Sequence, residues 1–200
     1  MGYQEWDKKY STEEYIYTKT ANRFVVEYCS ELSGNTAIDL AGGEGRNAIW
    51  LAKAGWQVEN IDFSQVALDK FLKFAAEEGV SANCVANCQD GTELKSMLGS
   101  VDLGVIAYLH IPIAELSKAI RNLAEVINPG GHLFGVWHSG ENSADFSGPK
   151  DKPTVADIQS ALASTGMEIL ELTNRDGQIQ TKEGLKPSVT LVLLAKRGLA

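Results

Sequence analysis

Short apolar runs alternate with longer amphipathic stretches along most of the chain, and turn residues punctuate the boundaries. Thr20–Leu32 places Phe24, Val25, Tyr28 and Leu32 at helical spacing, and Ser33-Gly34-Asn35 stops it. The segment before it, from Trp6 to Tyr17, is rich in aromatic residues and less regular; it reads either as a lid or as packing against the core. Ala37–Leu40 reads as a first strand, with a helix from Gly45 to Ala54 presenting Ile49, Trp50 and Leu51 to a core and Gly55 capping it. A second strand ends at Asp62, and Ser64 is placed to cap a helix over Gln65–Glu78. Ala82–Cys88 and Val101–Tyr108 follow as strands, the latter a continuous apolar run of the kind buried in a parallel sheet. The pattern then predicts helix Ile113–Ile127, a turn at Asn128-Pro129-Gly130-Gly131, strand His132–His138 and helix Thr154–Ser164. The polar stretch Glu141–Pro153 predicts a mobile connection over the active face. Met167–Asn174 and Ser188–Lys196 end the chain as two strands with no helix between them, which predicts one antiparallel strand. The whole predicts an α/β, Rossmann-like doubly wound sheet, with residues 1–35 as an N-terminal helical or lid segment and 36–200 as one domain.

The chemistry concentrates at Asp39-Leu40-Ala41-Gly42-Gly43-Glu44-Gly45-Arg46-Asn47-Ala48, a strand, a glycine-rich turn and a helix start. Asp62 stands at the tip of the next strand, nineteen residues after Gly43. Glycines let a backbone approach a ligand closely, and a carboxylate there can accept hydrogen bonds from ribose hydroxyls. The pairing indicates a nucleoside cofactor without saying which. Gly43, Gly45 and Ala48 satisfy a loose dinucleotide fingerprint, so a nicotinamide oxidoreductase is one reading. Against it stand the lack of a second domain or a Ser/Tyr/Lys set, and the two-strand ending. Asp39, just before the turn, is placed to bind the amino group of a cationic ligand, or to cap the turn without touching ligand.

The chain resembles the class I S-adenosylmethionine-dependent methyltransferases, and within them the small tellurite-resistance-like branch. The resemblance rests on Trp6-Asp7-Lys8-Lys9-Tyr10, the glycine motif, Ile61-Asp62-Phe63-Ser64, Ala107-Tyr108-Leu109-His110-Ile111-Pro112, Asn128-Pro129-Gly130-Gly131 and Ser147-Gly148-Pro149-Lys150-Asp151. It implies a seven-stranded sheet, mostly parallel with its last strand antiparallel, and S-adenosylmethionine across the carboxyl ends of the first three strands. Asp39, Gly43 and Gly45 would then surround the methionine portion, Arg46 its carboxylate, Asp62 the ribose and Phe63 the adenine. Two positions depart from the family pattern. Ala41 replaces the first glycine, and its methyl is expected to fit with a negative φ. Cys88 stands where an adenine-contacting Asp is usual, which leaves Asn87, Gln89 or Asp90 as replacements because a thiol accepts poorly.

Tyr108, His110 and His138 follow the fourth and fifth strands at the edge where a methyl group would point, and are the candidate catalytic residues. Cys84 and Cys88 share a strand face, but two thiols make no metal site, and buried free cysteines are expected. Composition adds boundaries. With 44% hydrophobic and 22% charged residues in 200, the chain is an ordinary globular one, and its net charge of −8 and pI near 4.9 argue against nucleic acid or anionic membrane as partner. The apolar runs are too short to span a bilayer, no signal peptide is visible, and three cysteines suit free thiols; a cytoplasmic location and a monomer are expected. A small-molecule methyltransferase is the leading expectation, with a non-catalytic cofactor-binding module as a further alternative.

Overall fold

The computed structural model describes residues 2–142, 148–181 and 184–199. Thirteen elements follow one another in it: α1 (Tyr3–Tyr10), α2 (Arg23–Cys29), β1 (Thr36–Leu40), α3 (Arg46–Lys53), β2 (Gln57–Asp62), α4 (Gln65–Glu77), β3 (Cys84–Cys88), β4 (Val101–Ala107), α5 (Ile113–Glu125), β5 (Ile127–His138), α6 (Val155–Leu162), β6 (Met167–Thr181) and β7 (Gly184–Arg197). The strands form one sheet in the order β3-β2-β1-β4-β5-β7-β6. The first five run parallel, and β7 enters antiparallel between β5 and β6.

Period-two alternation splits the sheet's side chains into two cores. Ile38, Leu40, Ile106, Leu133, Trp137, Leu191 and Leu193 pack beneath Leu116, Ile120 and Leu123 of α5 and Ile158 and Leu162 of α6. Ala37, Val58, Val105, Phe134, Val136 and Val192 face the other way, onto Phe24 and Val25 of α2, Ile49 and Leu51 of α3, and Phe71 and Phe74 of α4. Local chemistry sets the helix starts. Ser64 Oγ accepts from Ala67 N at 3.2 Å, and Thr154 and Asp157 form a reciprocal cap at the start of α6.

Several expected boundaries move. The first predicted long helix shortens to α2, because Asn22 caps it by accepting from Phe24 N at 2.9 Å. The helix expected within the less regular aromatic segment is Tyr3–Tyr10, starting three residues before Trp6. Asn128–Gly131 interrupts the pairing as a bulge: Val101 pairs with Ile127 but Leu103 with His132, so the turn sits inside β5. The hairpin of β6 and β7 outruns its apolar core, pairing from Met167–Arg197 to Thr181–Gly184. Cysteines also differ from expectation: Cys29 is buried, Cys84 half-buried and Cys88 exposed. Part of the predicted connection over the active face, residues 143–147, lies outside the described residues.

The chain leaves β1 toward β3 on one side and returns to β4 on the other. Adjacent strands β1 and β4 therefore send their connections apart, opening a crevice at their carboxyl ends.

Candidate functional site

The glycine turn crosses that crevice on a left-handed path. Ala41, Gly43 and Gly45 have φ of +56°, +56° and +79°, while Gly42 N donates to Ile61 O at 3.2 Å and Gly45 N to Gly42 O at 3.0 Å. Ala41 thus departs from the expected negative φ. The chain must bend sharply from β1 to bring the Gly42 amide onto β2, and an alanine accepts the bend at a cost of about 1–2 kcal/mol. Asp39 also departs from its expected place on the ligand. It is fully buried beneath the turn, off the cavity wall, and its Oδ2 accepts from Ala48 N at 3.1 Å in the first turn of α3. Its Oδ1 is buried with no hydrogen-bond partner among the described residues, and burial lifts its pKa to about 7.

Asp62 stands where β2 ends, on the cavity wall and almost entirely buried. Its Oδ2 accepts from Gly43 N and its Oδ1 from Ser64 N, both at 2.9 Å, so the carboxylate is fixed by the turn and by the cap of α4. Burial raises its pKa to about 6 against the pull of those amides. An ionised carboxylate has about four acceptor sites, so each oxygen retains capacity for a hydroxyl.

Glu44 was not singled out from the sequence, and it organises the roof. Only 6% exposed, it accepts from Ile16 N at 2.9 Å, Tyr17 N at 3.3 Å and Lys70 Nζ at 2.8 Å. The segment after α1 is thereby strapped to the glycine turn. Ser64 Oγ donates to Asp7 Oδ1 at 2.5 Å, which ties α1 to the start of α4. Tyr10 is buried against the turn: a Cβ on Gly43 would stand 2.7 Å from its Oη. Burial and the nearby Asp62 raise the Tyr10 pKa, so it stays a neutral hydroxyl. Trp6, Tyr15 and Tyr17 join it on the cavity wall, which favours the lid reading of the aromatic stretch. The sequence signal was an acid inside a glycine turn with no local partner.

Tyr108, His110 and His138 come together on the opposite wall. Ring centroids lie 4.9 Å apart for Tyr108 and His138, and 5.4 Å for the two histidines, which stack with planes 13° apart. Tyr108 has φ +61°, and its amide donates to Val136 O at 2.8 Å. The His110 Nδ1 lies 2.9 Å from Asp151 O; a carbonyl only accepts, so Nδ1 carries the proton. Nε2 is then a bare acceptor, buried with no partner among the described residues. Burial, reinforced by His138, lowers the His110 pKa to about 4. Burial also lowers that of His138.

The sign of the resulting pH dependence follows. Unfolded chains take up a proton at His110 near 6.5, but folded ones resist until about 4, so acidification through that window favours unfolding. We expect the His110 imidazole to titrate near 4 by NMR, and the variant His110→Gln to lose stability less steeply than the parent between pH 6.5 and 4. A midpoint near 6.5 would remove the desolvated base.

The adenine-side candidates fall elsewhere. Asn87, Cys88, Gln89 and Asp90 are absent from the cavity wall, because each is engaged in the loop after β3 or beside it. Asn87 Nδ2 donates to the buried Glu59 and to Lys95 O, Gln89 brackets the Lys95 backbone at 2.9 Å, and Asp90 accepts from Thr92 N. Cys88 Sγ points at Phe63 O, 3.7 Å away. The wall on this side ends at Asp62 and Phe63. Ala41, Gly43, Gly45 and Arg46 line the same cavity of about 850 Å³, large enough for a nucleoside-sized ligand with room beside it.

Residues 37–131 match the family described as a methyltransferase domain. The ubiquinone/menaquinone biosynthesis C-methyltransferase UbiE of Pseudomonas paraeruginosa is 30% identical over 132 residues, covering 62% of this chain and 50% of that protein. The tRNA 5-carboxymethoxyuridine methyltransferase of Escherichia coli is 29% identical over 103 residues, covering 51% and 40%. The chain thus spans about half the length, or less, of these curated relatives. Among solved structures, TehB from Haemophilus influenzae superposes with a TM-score of 0.74 at 18% identity, over 96% of this chain and 65% of that one. Magnesium protoporphyrin IX methyltransferase from Synechocystis, with bound SAM, gives 0.64 at 22%, over 98% and 79%. These likenesses establish a shared fold.

Proposed function

We propose that this chain, whose residues 37–131 match the methyltransferase-domain family, moves a methyl group from S-adenosylmethionine to a small-molecule acceptor. One observation carries the reading: Asp62, fixed by two backbone amides at the tip of β2, shares one cavity with the left-handed glycine turn and with the Tyr108, His110 and His138 cluster. Asp62 and the turn fit a ribose and the chain attached to it. Asp39, buried beneath the turn with its Oδ1 lacking a partner among the described residues, would be drawn toward its ionised form by a cationic ligand above it.

S-adenosylmethionine supplies an activated methyl group, so the protein's work is to hold the acceptor in line and exclude water. The aromatic strap over the turn supports exclusion. The bare Nε2 of His110, neutral at ordinary pH, can accept a hydrogen bond from a protonated acceptor and orient it, and Tyr108 and His138 flank it. A net charge of −8 supports a small molecule over nucleic acid. One curated relative is a tRNA methyltransferase, so tRNA belongs among the acceptors assayed. The nicotinamide reading loses support from the antiparallel β7, which departs from six parallel strands.

Calorimetry with S-adenosylmethionine, S-adenosylhomocysteine and NAD separates the cofactors, and tight NAD binding without the sulfonium ligand would overturn the reading. Release of S-adenosylhomocysteine across an acceptor panel separates an enzyme from a non-catalytic binder.

A further inference from the structure

Beyond the Tyr108 and His138 wall lies a second cavity of about 300 Å³. It shares Arg46, Tyr108 and His138 with the main cavity and adds Arg23, Ser188 and Thr190. Three features set it apart. Neither arginine forms an ion pair among the described residues, although the chain carries eight more acids than bases; Arg23 rests on the Phe24 ring at 4.5 Å instead. Among the described residues no carboxylate lines the cavity. The hydroxyls of Ser188 and Thr190, residues 7% and 6% exposed on β7, make no hydrogen bond among the described residues. Arg23 Nη2 and Ser188 Oγ both approach Gly177, where an added Cβ would stand 3.4 Å from the first and 4.0 Å from the second. A guanidinium fork beside unspent hydroxyls is a donor set for a carboxylate or phosphate.

We propose that the methyl acceptor is an anion, its carboxylate or phosphate held in this second cavity by Arg23 with Ser188 and Thr190, and its reactive end directed past Tyr108 and His138 toward the main cavity. This rests on the methyltransferase reading above. The second cavity, of about 300 Å³, suits a small acceptor with the charged group at one end and the nucleophilic atom at the other. Arg46 faces both cavities and is not assigned to either ligand alone.

The test is calorimetric titration of the protein, with and without saturating S-adenosylhomocysteine, by phenyl phosphate, benzoate and neutral benzamide. We expect saturable binding of at least one anion, none of benzamide, and a loss of about tenfold or more in R23Q; the stronger anion names the group. R23K should recover part of the loss, and T190V should weaken binding less. S-adenosylhomocysteine affinity should be the same in R23Q as in the parent. Equal binding of benzamide, undiminished anion binding by R23Q, or no saturable binding of either anion would overturn the proposal. If S-adenosylhomocysteine itself fails to bind the parent, the methyltransferase reading falls, and the titrations without it still decide whether Arg23 marks an anion site.

Discussion

Replacing Asp62 with Ala should weaken S-adenosylmethionine binding by about 100-fold, or about 2.7 kcal/mol, in isothermal calorimetry. Hydrogen bonds to a charged acceptor are worth about 1.5–3 kcal/mol each, and a ribose offers two hydroxyls. The variant also strips the acceptor from Gly43 N and Ser64 N, so part of the loss passes through a loosened turn. Asp62→Asn tells the two apart. It preserves volume and one carbonyl acceptor but sets an NH2 against one of those amides. If the loss arises at the ribose, Asn binds weakly while its melting temperature stays above that of Ala. Unchanged affinity in both variants would mean that Asp62 is a loop-holding residue and that the ribose lies elsewhere.

Gly45→Ala is expected to cost about 2–5 kcal/mol of folding stability in chemical denaturation. Two effects add at this position. At φ +79° an alanine occupies the left-handed region, worth about 1–2 kcal/mol. Its Cβ would also stand 2.1 Å from Phe71 Cδ2, against a ring that is fully buried between α3, α4 and the sheet. Gly55 separates these effects: φ is +97° there, and a Cβ meets nothing within 4 Å. Gly55→Ala should lose only the conformational part. If the two variants were equally destabilised, crowding against Phe71 would contribute nothing, and the close approach of α4 to the turn would be wrong.

What could be read from the chain was whatever one element decides for itself. Val101–Ala107 reads as a buried strand because Leu103–Ala107 has no polar residue to expose, and Ser64 reads as a cap because it directly precedes the helical pattern from Gln65. Asp62 was legible as the acid that ends the short run Val58–Asp62, nineteen residues after Gly43. Features set by distant partners were not. Asp39 and Asp62 are both acids beside the turn, but spacing does not say that one lies under the backbone and the other beside the cavity. Glu44 finds its donors at residues 16, 17 and 70, far away in sequence. Asn87 looked available to a ligand until the fold brought Glu59 against it. The positive φ of Ala41 accompanies the bond from Gly42 N in the turn to Ile61 O on β2, a partner distant in sequence rather than a property of alanine.

The anchor at Glu44 has a consequence for how this site can change. Its carboxylate grips main-chain N–H groups of Ile16 and Tyr17, which every residue except proline possesses. The identity of the side chain at 17 is therefore uncoupled from the grip, while the same side chain faces the cavity. A new residue at 17 remodels the chamber and leaves the clasp intact. Such an arrangement lets the shape of the chamber change one substitution at a time while the strap keeps its anchor on the glycine turn.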